Sequence, residues 1–176
     1  PTIHAANSAA IMCHDYTHLN MVRPGIILYG HYPSFYLEKK VLDLKPAMTL
    51  KSQVVHIKEL DEGEYIGYGR KFCTHQKTKI ATIPIGYADG YSRRLSNKAR
   101  VLIHGEYAPV IGNICMDQCM VDVTHIENVE LEDEVVIFGK QGKNEITVEK
   151  LAELLDTINY EVICMIGKRV PRTYIE

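Results

Sequence analysis

The sequence predicts a mainly β protein that is preceded by a short α/β segment. After Pro46, apolar and polar residues alternate with a period of two in many short runs separated by glycines. This pattern is typical of a β-sandwich or barrel. Before Pro46, the chain instead has the pattern of a helix, a short apolar run and a second helix. We therefore expect two segments, residues 1–45 and 46–176.

The first segment has the order of elements of an α/β unit. Residues 5–16, AANSAAIMCHDY, predict a helix. The apolar run MVRPGIILYG, residues 21–30, predicts a buried strand. Residues 33–45, PSFYLEKKVLDLK, predict a second helix, which Pro46 ends. These elements are too few to form a domain by themselves.

The second segment contains one predicted helix among several predicted strands. The helix covers residues 147–159, where Leu151, Leu154, Leu155 and Ile158 follow the i, i+3, i+4, i+7 spacing of one apolar face. The predicted strands are TLKSQVVHIKEL, TKIATIPIGY, ARVLIHG, YAPVIGNICM, QCMVDVT and DEVVIFG.

Composition excludes several classes of function. The 20 basic and 22 acidic residues give a net charge of −2, without the basic excess of a nucleic-acid-binding protein. No apolar run approaches the roughly 18 residues that span a membrane. The five cysteines are odd in number and irregularly spaced, which favours a reducing, cytoplasmic location. Because the chain begins without methionine, we expect it to be part of a longer protein.

Two short motifs suggest metal binding, and in both cases we prefer a structural interpretation. His14 and His18 in HDYTH have the spacing of a zinc-protease motif, but Asp15 replaces the usual glutamate and no third ligand is evident. Cys115 and Cys119 would share one face of a strand, yet no second pair completes a zinc site. We interpret them as buried apolar residues and predict no metal site.

The motif EYIGYGRKF places Tyr68 between Gly67 and Gly69. It is not a dinucleotide-binding fingerprint, because the third glycine and the following helix are missing. Two interpretations remain. Tyr68 is either a turn tyrosine that covers the edge of the core, which local pattern alone favours, or a phenol that reaches a ligand or another subunit.

Taken together and in order, several motifs resemble the alanine racemase family closely. They are HAANSAA, MVRPGIILYG, GYGRKF, IPIGYADGY, GNICMDQCMVDV, INYEV and RVPR. The family is of fold-type III and depends on pyridoxal 5′-phosphate (PLP). The resemblance implies that residues 1–45 are the last part of a truncated (β/α)8 (TIM) barrel. Residues 46–176 would be the family's C-terminal β domain.

The resemblance also implies a catalytic role for Tyr68. In the family this tyrosine is one of two bases that act on opposite faces of the substrate Cα, and the other is the Schiff-base lysine that holds PLP. Tyr68 would serve the L-enantiomer across the subunit boundary of a homodimer. D-alanine made in this way enters peptidoglycan.

Other positions match cofactor and substrate contacts of the family. Arg23 matches the arginine that hydrogen-bonds the pyridine nitrogen. The phosphate-binding positions correspond to Ser8 and the backbone amides of Gly25 and Ile26. Positions near the substrate carboxylate and the entry channel correspond to Met116, Asp117 and Tyr87.

Two residues depart from the family pattern. Lys168 stands before RVPR, where many members have a tyrosine that touches the phosphate. A lysine still pairs with phosphate as a point charge, but the changed pocket leads us to expect that serine is tolerated beside alanine. Asn113 stands where an arginine is frequent, and we expect a looser channel.

The resemblance leaves alternatives open. The Schiff-base lysine is not among these 176 residues, so we expect the chain alone to be inactive. Within the class, the alternative is the serine/alanine racemase domain of a membrane-anchored vancomycin-resistance protein. Outside it, the chain would be a non-catalytic, β-rich dimerisation domain or, less favoured, a zinc hydrolase acting through HDYTH.

Overall fold

The chain divides into two compact units, residues 1–48 and 49–176. The structure is a computed structural model and describes residues 1–34, 36–37 and 42–175. Two assignments stay predictions: residues 1–45 as a barrel remnant and residues 46–176 as a β domain.

Among its described residues, 1–34, 36–37 and 42–48, the first unit contains one short helix and two 3₁₀ turns. Helix α1 spans Ser8–Cys13, and the turns span Asp15–Thr17 and Ile26–Tyr29. The side chain of Asn7 caps α1 by accepting a hydrogen bond from the Ala10 N–H at 3.0 Å. The helix predicted over residues 5–16 is therefore confirmed, but only over six residues.

The strand predicted over residues 21–30 is wrong. In the described part of this run, Met21 forms one isolated parallel bridge with His4, and Ile26–Tyr29 forms a 3₁₀ turn. A buried strand needs neighbours on both edges to satisfy its backbone, and this run has one bridge. Of the apolar residues in the turn, Ile26 is buried, whereas Leu28 is 68% exposed.

The second predicted helix, residues 33–45, lies partly outside the described residues. Nothing is described for residues 35 and 38–41. Of the described positions 33–34, 36–37 and 42–45, none is helical.

In its described residues, 49–175, the second unit has ten strands. Each of the six predicted segments overlaps at least one of them, and β3, β4 and β10 were not predicted. The strands are β1 Leu50–Gln53, β2 His56–Leu60, β3 Tyr65–Ile66, β4 Phe72–Cys73, β5 Thr78–Ile83, β6 Arg100–Ile103, β7 Glu106–Ile111, β8 Cys119–Asp122, β9 Glu134–Gln141 and β10 Asn144–Ile146. Strands β3 and β4 form a separate hairpin. The others form one antiparallel sheet in the order β1-β9-β6-β7-β8-β5-β2, with β10 beside β9.

The sheet curls so that its two edge strands meet. Strands β1 and β2 lie at opposite ends of the strand order, yet Val54 and Val55 alone join them. The Val54 N–H donates to Asp133 O and the Val55 N–H to Thr82 O, both at 3.0 Å. A connection this short spans roughly 10 Å at most, so the sheet closes on itself like a barrel.

The core lies inside this curled sheet. Four consecutive residues of β9, Val135 to Phe138, are at most 1% exposed, which indicates that both faces of the strand are covered. The neighbouring β6 contributes Val101, Leu102 and Ile103, all fully buried.

Two helices follow β10, where the sequence predicted one. Helix α2 spans Val148–Leu155, and helix α3 spans Asn159–Met165. Asp156, at φ 58°, ends α2 in a left-handed conformation. As a result Ile158 lies between the helices and is 60% exposed, contrary to its predicted place on the buried face. That face consists of Val148, Leu151, Ala152 and Leu155.

Candidate functional site

Tyr68 lies on the turn that connects β3 to β4. The turn forms a short 3₁₀ segment, Tyr68–Arg70, and the tyrosine is 79% exposed. An interpretation of Tyr68 as a cover for the core edge therefore does not fit the structure. The phenol is presented to the outside of the unit.

The two glycines beside Tyr68 are required by the backbone. Gly67 has φ 68° and ψ −178°, and Gly69 has φ 76°, conformations that side chains with a Cβ strongly disfavour. A Cβ on Gly67 would also lie 3.1 Å from Cε of Met120. The glycines thus allow a tight turn that carries a large, outward-pointing side chain.

The loop between β7 and β8, residues 112–118, is the centre of the site, and we call it the central loop. Two side chains fix its first half. Asn97 Oδ1 accepts the Gly112 N–H at 2.6 Å, and Ser96 Oγ accepts the Ile114 N–H at 2.9 Å. The central loop is therefore anchored before it reaches the residues that the family resemblance singles out.

The central loop also holds the turn that carries Tyr87. The Tyr87 N–H donates to Cys115 O and the Ala88 N–H donates to Met116 O, each at 3.0 Å. These bonds explain how Tyr87 and Met116, far apart in sequence, become neighbours. Tyr87 is 44% exposed and Met116 53% exposed, so both face outward.

A concavity of about 500 Å³ brings together four predicted site residues of the second unit. Its lining includes Tyr68, Tyr87, Met116 and Asp117, together with Arg93 and Asn113. Apolar, phenolic, acidic and basic groups thus line one depression, as in sites for small polar molecules.

Arg169 ties two loops of the site together, a link that the sequence did not reveal. Its Nε lies 2.8 Å from Asp89 Oδ1, and its Nη2 donates to Asp117 Oδ1 at 2.5 Å. Asp89 is buried and also accepts the Gly86 N–H at 2.9 Å. The hydrogen bond to Asp117, with the charges of both carboxylates, raises the pKa of the guanidinium. No spacing rule connects positions this far apart, so only the fold brings them together.

Asp117 lies on the central loop and is bound to Arg169.

Lys168 precedes Arg169 in a turn that extends to Val170, and Lys168 is exposed. The Gly167 N–H donates to Asp89 O at 2.8 Å, which anchors this turn.

The remaining predicted residues belong to the first unit and form a small group there. The Gly25 N–H donates to Ser8 Oγ at 2.8 Å, and Ile26 begins the 3₁₀ turn that follows. Arg23 is hydrogen-bonded to His4 Nδ1, and its Nη2 lies 3.4 Å from Ala5 O. Ser8 and Ile26 are buried, whereas Arg23 and Gly25 are exposed.

The motifs considered for metal binding have other roles. His18 Nε2 is hydrogen-bonded to Ile11 O at 3.0 Å. Cys119 is buried on β8 whereas Cys115 lies on the central loop, so the two do not share a strand face. Within the described ranges, no three His, Cys, Asp or Glu side chains group so that they would hold a metal ion. No helix among the described residues is long and apolar enough to cross a bilayer.

Comparison with known proteins agrees with the resemblance of the motifs. The chain is 59% identical over 173 residues to alanine racemase 1 of Clostridium acetobutylicum, covering 98% of the chain and 45% of that protein. The alanine racemase of Bacillus anthracis, solved with bound L-Ala-P, superposes with a TM-score of 0.95 at 39% identity. This match covers 99% of the chain and 45% of that structure. The alanine racemase of Bartonella henselae, solved with covalently bound pyridoxal phosphate, superposes with a TM-score of 0.86 at 35% identity, covering 97% of the chain and 46% of that structure.

Two profiles of the alanine racemase family match successive parts of the chain. The profile described as "Alanine racemase, N-terminal domain" matches residues 1–33. The profile described as "Alanine racemase, C-terminal domain" matches residues 47–174. The chain spans less than half the length of the curated relatives that it matches. Because the C-terminal profile covers most of the chain, the chain belongs to the alanine racemase family.

Proposed function

We propose that this chain supplies part of the active site of a PLP-dependent racemase that interconverts L- and D-alanine. The observation that carries the proposal is the position of Tyr68, which projects from a glycine-flanked turn and lines a concavity with Met116 and Asp117. The ligands in the solved relatives, L-Ala-P in one and covalently bound pyridoxal phosphate in another, support this ligand class.

Tyr68 acts as one of two bases. Racemisation needs a proton to leave one face of the substrate Cα and another proton to arrive on the opposite face. The Tyr68 phenolate oxygen takes the proton of the L-enantiomer and becomes a neutral phenol, and in the reverse direction the phenol gives a proton back. Met116 and Asp117 lie beside it near the substrate carboxylate, and Tyr87 forms a wall of the entry channel.

The residues of the first unit fit a phosphorylated cofactor. Because Ser8 Oγ accepts the Gly25 N–H, the Ser8 hydroxyl hydrogen remains able to donate to a phosphate oxygen. Gly25 has no side chain to block the approach, and the Ile26 N–H adds a phosphate contact. The Gly25 N–H would join it by exchanging its hydrogen bond to Ser8 Oγ for one to a phosphate oxygen. Arg23 holds the pyridine nitrogen and, since it cannot give up its proton, leaves that nitrogen unprotonated. In the second unit, Lys168 is proposed separately as a positive charge that pairs with a phosphate.

When bound, PLP supplies an electron-withdrawing ring that acidifies the Cα–H of the substrate. The protein residues then select which face loses the proton.

We further propose a homodimer whose active site is shared between subunits, in the cytoplasm. The 79% exposure of Tyr68 supports an active site shared between subunits, because its hydroxyl is accessible to a second chain. The location is supported by the cysteines, all five of which are free, with Cys13 and Cys164 exposed.

Substitution of Tyr68 in the full-length protein tests the proposed function. We expect Tyr68→Phe to lower kcat/KM for L-alanine by about 10²- to 10⁴-fold, the usual contribution of a general base. Tyr65→Phe is the matched control, because Tyr65 is also exposed, on the adjoining strand, but lies outside the concavity of Tyr68. A Tyr68→Phe variant as active as the control would refute the role of Tyr68. Absence of racemase activity in the wild-type protein would refute the proposed function as a whole.

Serine is a second candidate substrate. Lys168, in place of the tyrosine frequent in the family, is exposed and lies in the turn that the Gly167 N–H anchors to Asp89 O. The same assay run with both amino acids decides the point. Measurable turnover of serine supports a relaxed pocket, and turnover of alanine alone excludes it.

A further inference from the structure

We propose that Asn113 is a positioning residue that holds Tyr68 in place through the tyrosine's backbone. The inference rests on the proposed function of Tyr68 and assigns a new role to a residue of the central loop. This role explains how the turn that carries Tyr68 keeps its geometry although the turn is rich in glycine.

The turn has little intrinsic rigidity. Gly67 and Gly69 flank Tyr68, and Arg70 also has a positive φ, 49°. Glycine has more backbone freedom to lose than any other residue, so a turn of this composition keeps one conformation only when contacts from outside fix it. Tyr68 cannot provide them, since its side chain is mostly exposed.

Asn113 provides such a contact. Its Nδ2 donates a hydrogen bond of 2.7 Å to the backbone O of Tyr68. The direction is unambiguous, because a carbonyl oxygen only accepts and an amide nitrogen only donates. The same residue adjoins both glycines, since a Cβ on Gly69 would lie 3.5 Å from Asn113 Nδ2 and one on Gly67 would lie 3.7 Å from the Asn113 N.

The support behind Asn113 is itself fixed. Its two sequence neighbours, Gly112 and Ile114, donate their N–H groups to Asn97 and Ser96 at 2.6 and 2.9 Å. The side-chain amide therefore projects from an anchored segment of backbone. Asn113 thus lies between two residues whose backbone N–H groups are hydrogen-bonded.

Loss of this bond should act on catalysis. Displacement of a reacting group by about 1 Å can lower a rate by about 10²-fold, and the phenol oxygen lies at the far end of a side chain attached to this turn. Aspartate in place of Asn113 has almost the same shape but sets a carboxylate oxygen against the Tyr68 carbonyl oxygen, so that attraction becomes repulsion.

The experiment compares Asn113→Asp and Asn113→Ala with Asn97→Asp in the full-length protein. Asn97→Asp is the matched control, because Asn97 Oδ1 is the acceptor in its bond to Gly112 and aspartate keeps that acceptor. Two quantities are measured. The first is hydrogen exchange of the backbone amides of residues 67–71. The second is the primary isotope effect on kcat/KM with Cα-deuterated L-alanine and, separately, Cα-deuterated D-alanine.

We expect Asn113→Asp to increase exchange in residues 67–71 and to lower kcat/KM, each by about tenfold, with a smaller effect for Asn113→Ala. The isotope effect should rise with L-alanine, whose proton Tyr68 takes, and not with D-alanine. An isotope effect does not depend on how much enzyme is folded, so a merely destabilised variant would not change it. Asn97→Asp should leave both quantities near wild type.

Two outcomes overturn the inference, and they are distinguishable from failure of the proposed function. Wild-type isotope effects or wild-type exchange in Asn113→Asp would show that Asn113 does not position Tyr68, even in an active racemase. A wild-type protein that lacks racemase activity would overturn the proposed function and the inference with it.

Discussion

The two units carry their proposed functional residues on very different supports. In the second unit, strands β6 and β9 contain consecutive residues that are almost completely buried, so the sheet has a core of its own. In the first unit, Ile3, Tyr16 and Leu28 are 57–80% exposed. The second unit is therefore stabilised by its own packing. The first unit leaves much of its apolar surface exposed to solvent.

The largest expected effect is a difference in hydrogen exchange between the units. Backbone amides of β6 and β9 should exchange at least about 10³-fold more slowly than those of α1 and of the turn Ile26–Tyr29, because local opening exposes little core in the first unit. Exchange with mass-spectrometric detection on the 176-residue chain measures it. Equal protection in the two units would contradict the comparison.

A pair of glycine substitutions tests how closely the second unit is packed. Gly90 and Gly63 both have positive φ, 104° and 84°, but a Cβ on Gly90 would lie 2.2 Å from Met165 O, whereas nothing lies within 4 Å at Gly63. We expect Gly63→Ala to lower the free energy of unfolding by about 1 kcal/mol, from backbone strain alone. Gly90→Ala should cost about 3 kcal/mol or more, since backbone must also move.

Denaturant unfolding at pH 7 measures both variants. Similar costs for Gly90→Ala and Gly63→Ala would show that the backbone around Met165 yields easily. The turn that carries Tyr87 would then be less rigid than the contacts indicate.

The most gradual expected effect is a dependence of stability on alkaline pH. Burial raises the pKa of the Cys119 thiol from 9.0 to about 12. Because the folded-state pKa is the higher one, the stabilisation is complete below pH 9 and is lost between pH 9 and about 12. Over that range the free energy of unfolding should fall by up to about 1.4 kcal/mol per pH unit from this group. Burial also raises the pKa of the Tyr91 phenol, which extends the loss to higher pH.

Cys119→Ala should reduce this slope, and Val121→Ala is the matched control. Val121 is fully buried on the same strand and does not titrate, so its loss should lower stability equally at every pH. An unchanged slope in Cys119→Ala would mean that the thiol is more accessible to water than the burial indicates.

The sequence predicted the second unit better than the first, for a physical reason. Apolar and polar residues that alternate with a period of two indicate which side chains face a core. In the second unit, that core is formed by the unit's own residues. The apolar run at residues 21–30 gave the wrong prediction because strand formation depends on neighbouring strands, and the described run has a single bridge. Helix α3 was missed because the break at Asp156 depends on one left-handed residue.

In the functional site too, local sequence pattern predicted some features and missed others. The flanking glycines predicted a turn at Tyr68, but local pattern favoured a tyrosine that covers the core edge, and the structure shows the outward position instead. The roles of Asn113 and Arg169 were not predicted, because their partners Tyr68, Asp89 and Asp117 lie 45 to 80 positions away or in another loop. No local pattern reports such contacts.

The sequence by itself therefore determined the class of fold, most of the strands after Pro46 and the family. These depend on residue type and short-range periodicity, which the chain carries at every point. The tertiary structure alone decided that Tyr87, Met116 and Asp117 line one concavity with Tyr68, and that Asn113 and Arg169 fix the loops around it. Such contacts arise because a curled antiparallel sheet brings distant turns together at one place, and that depends on the order of its strands.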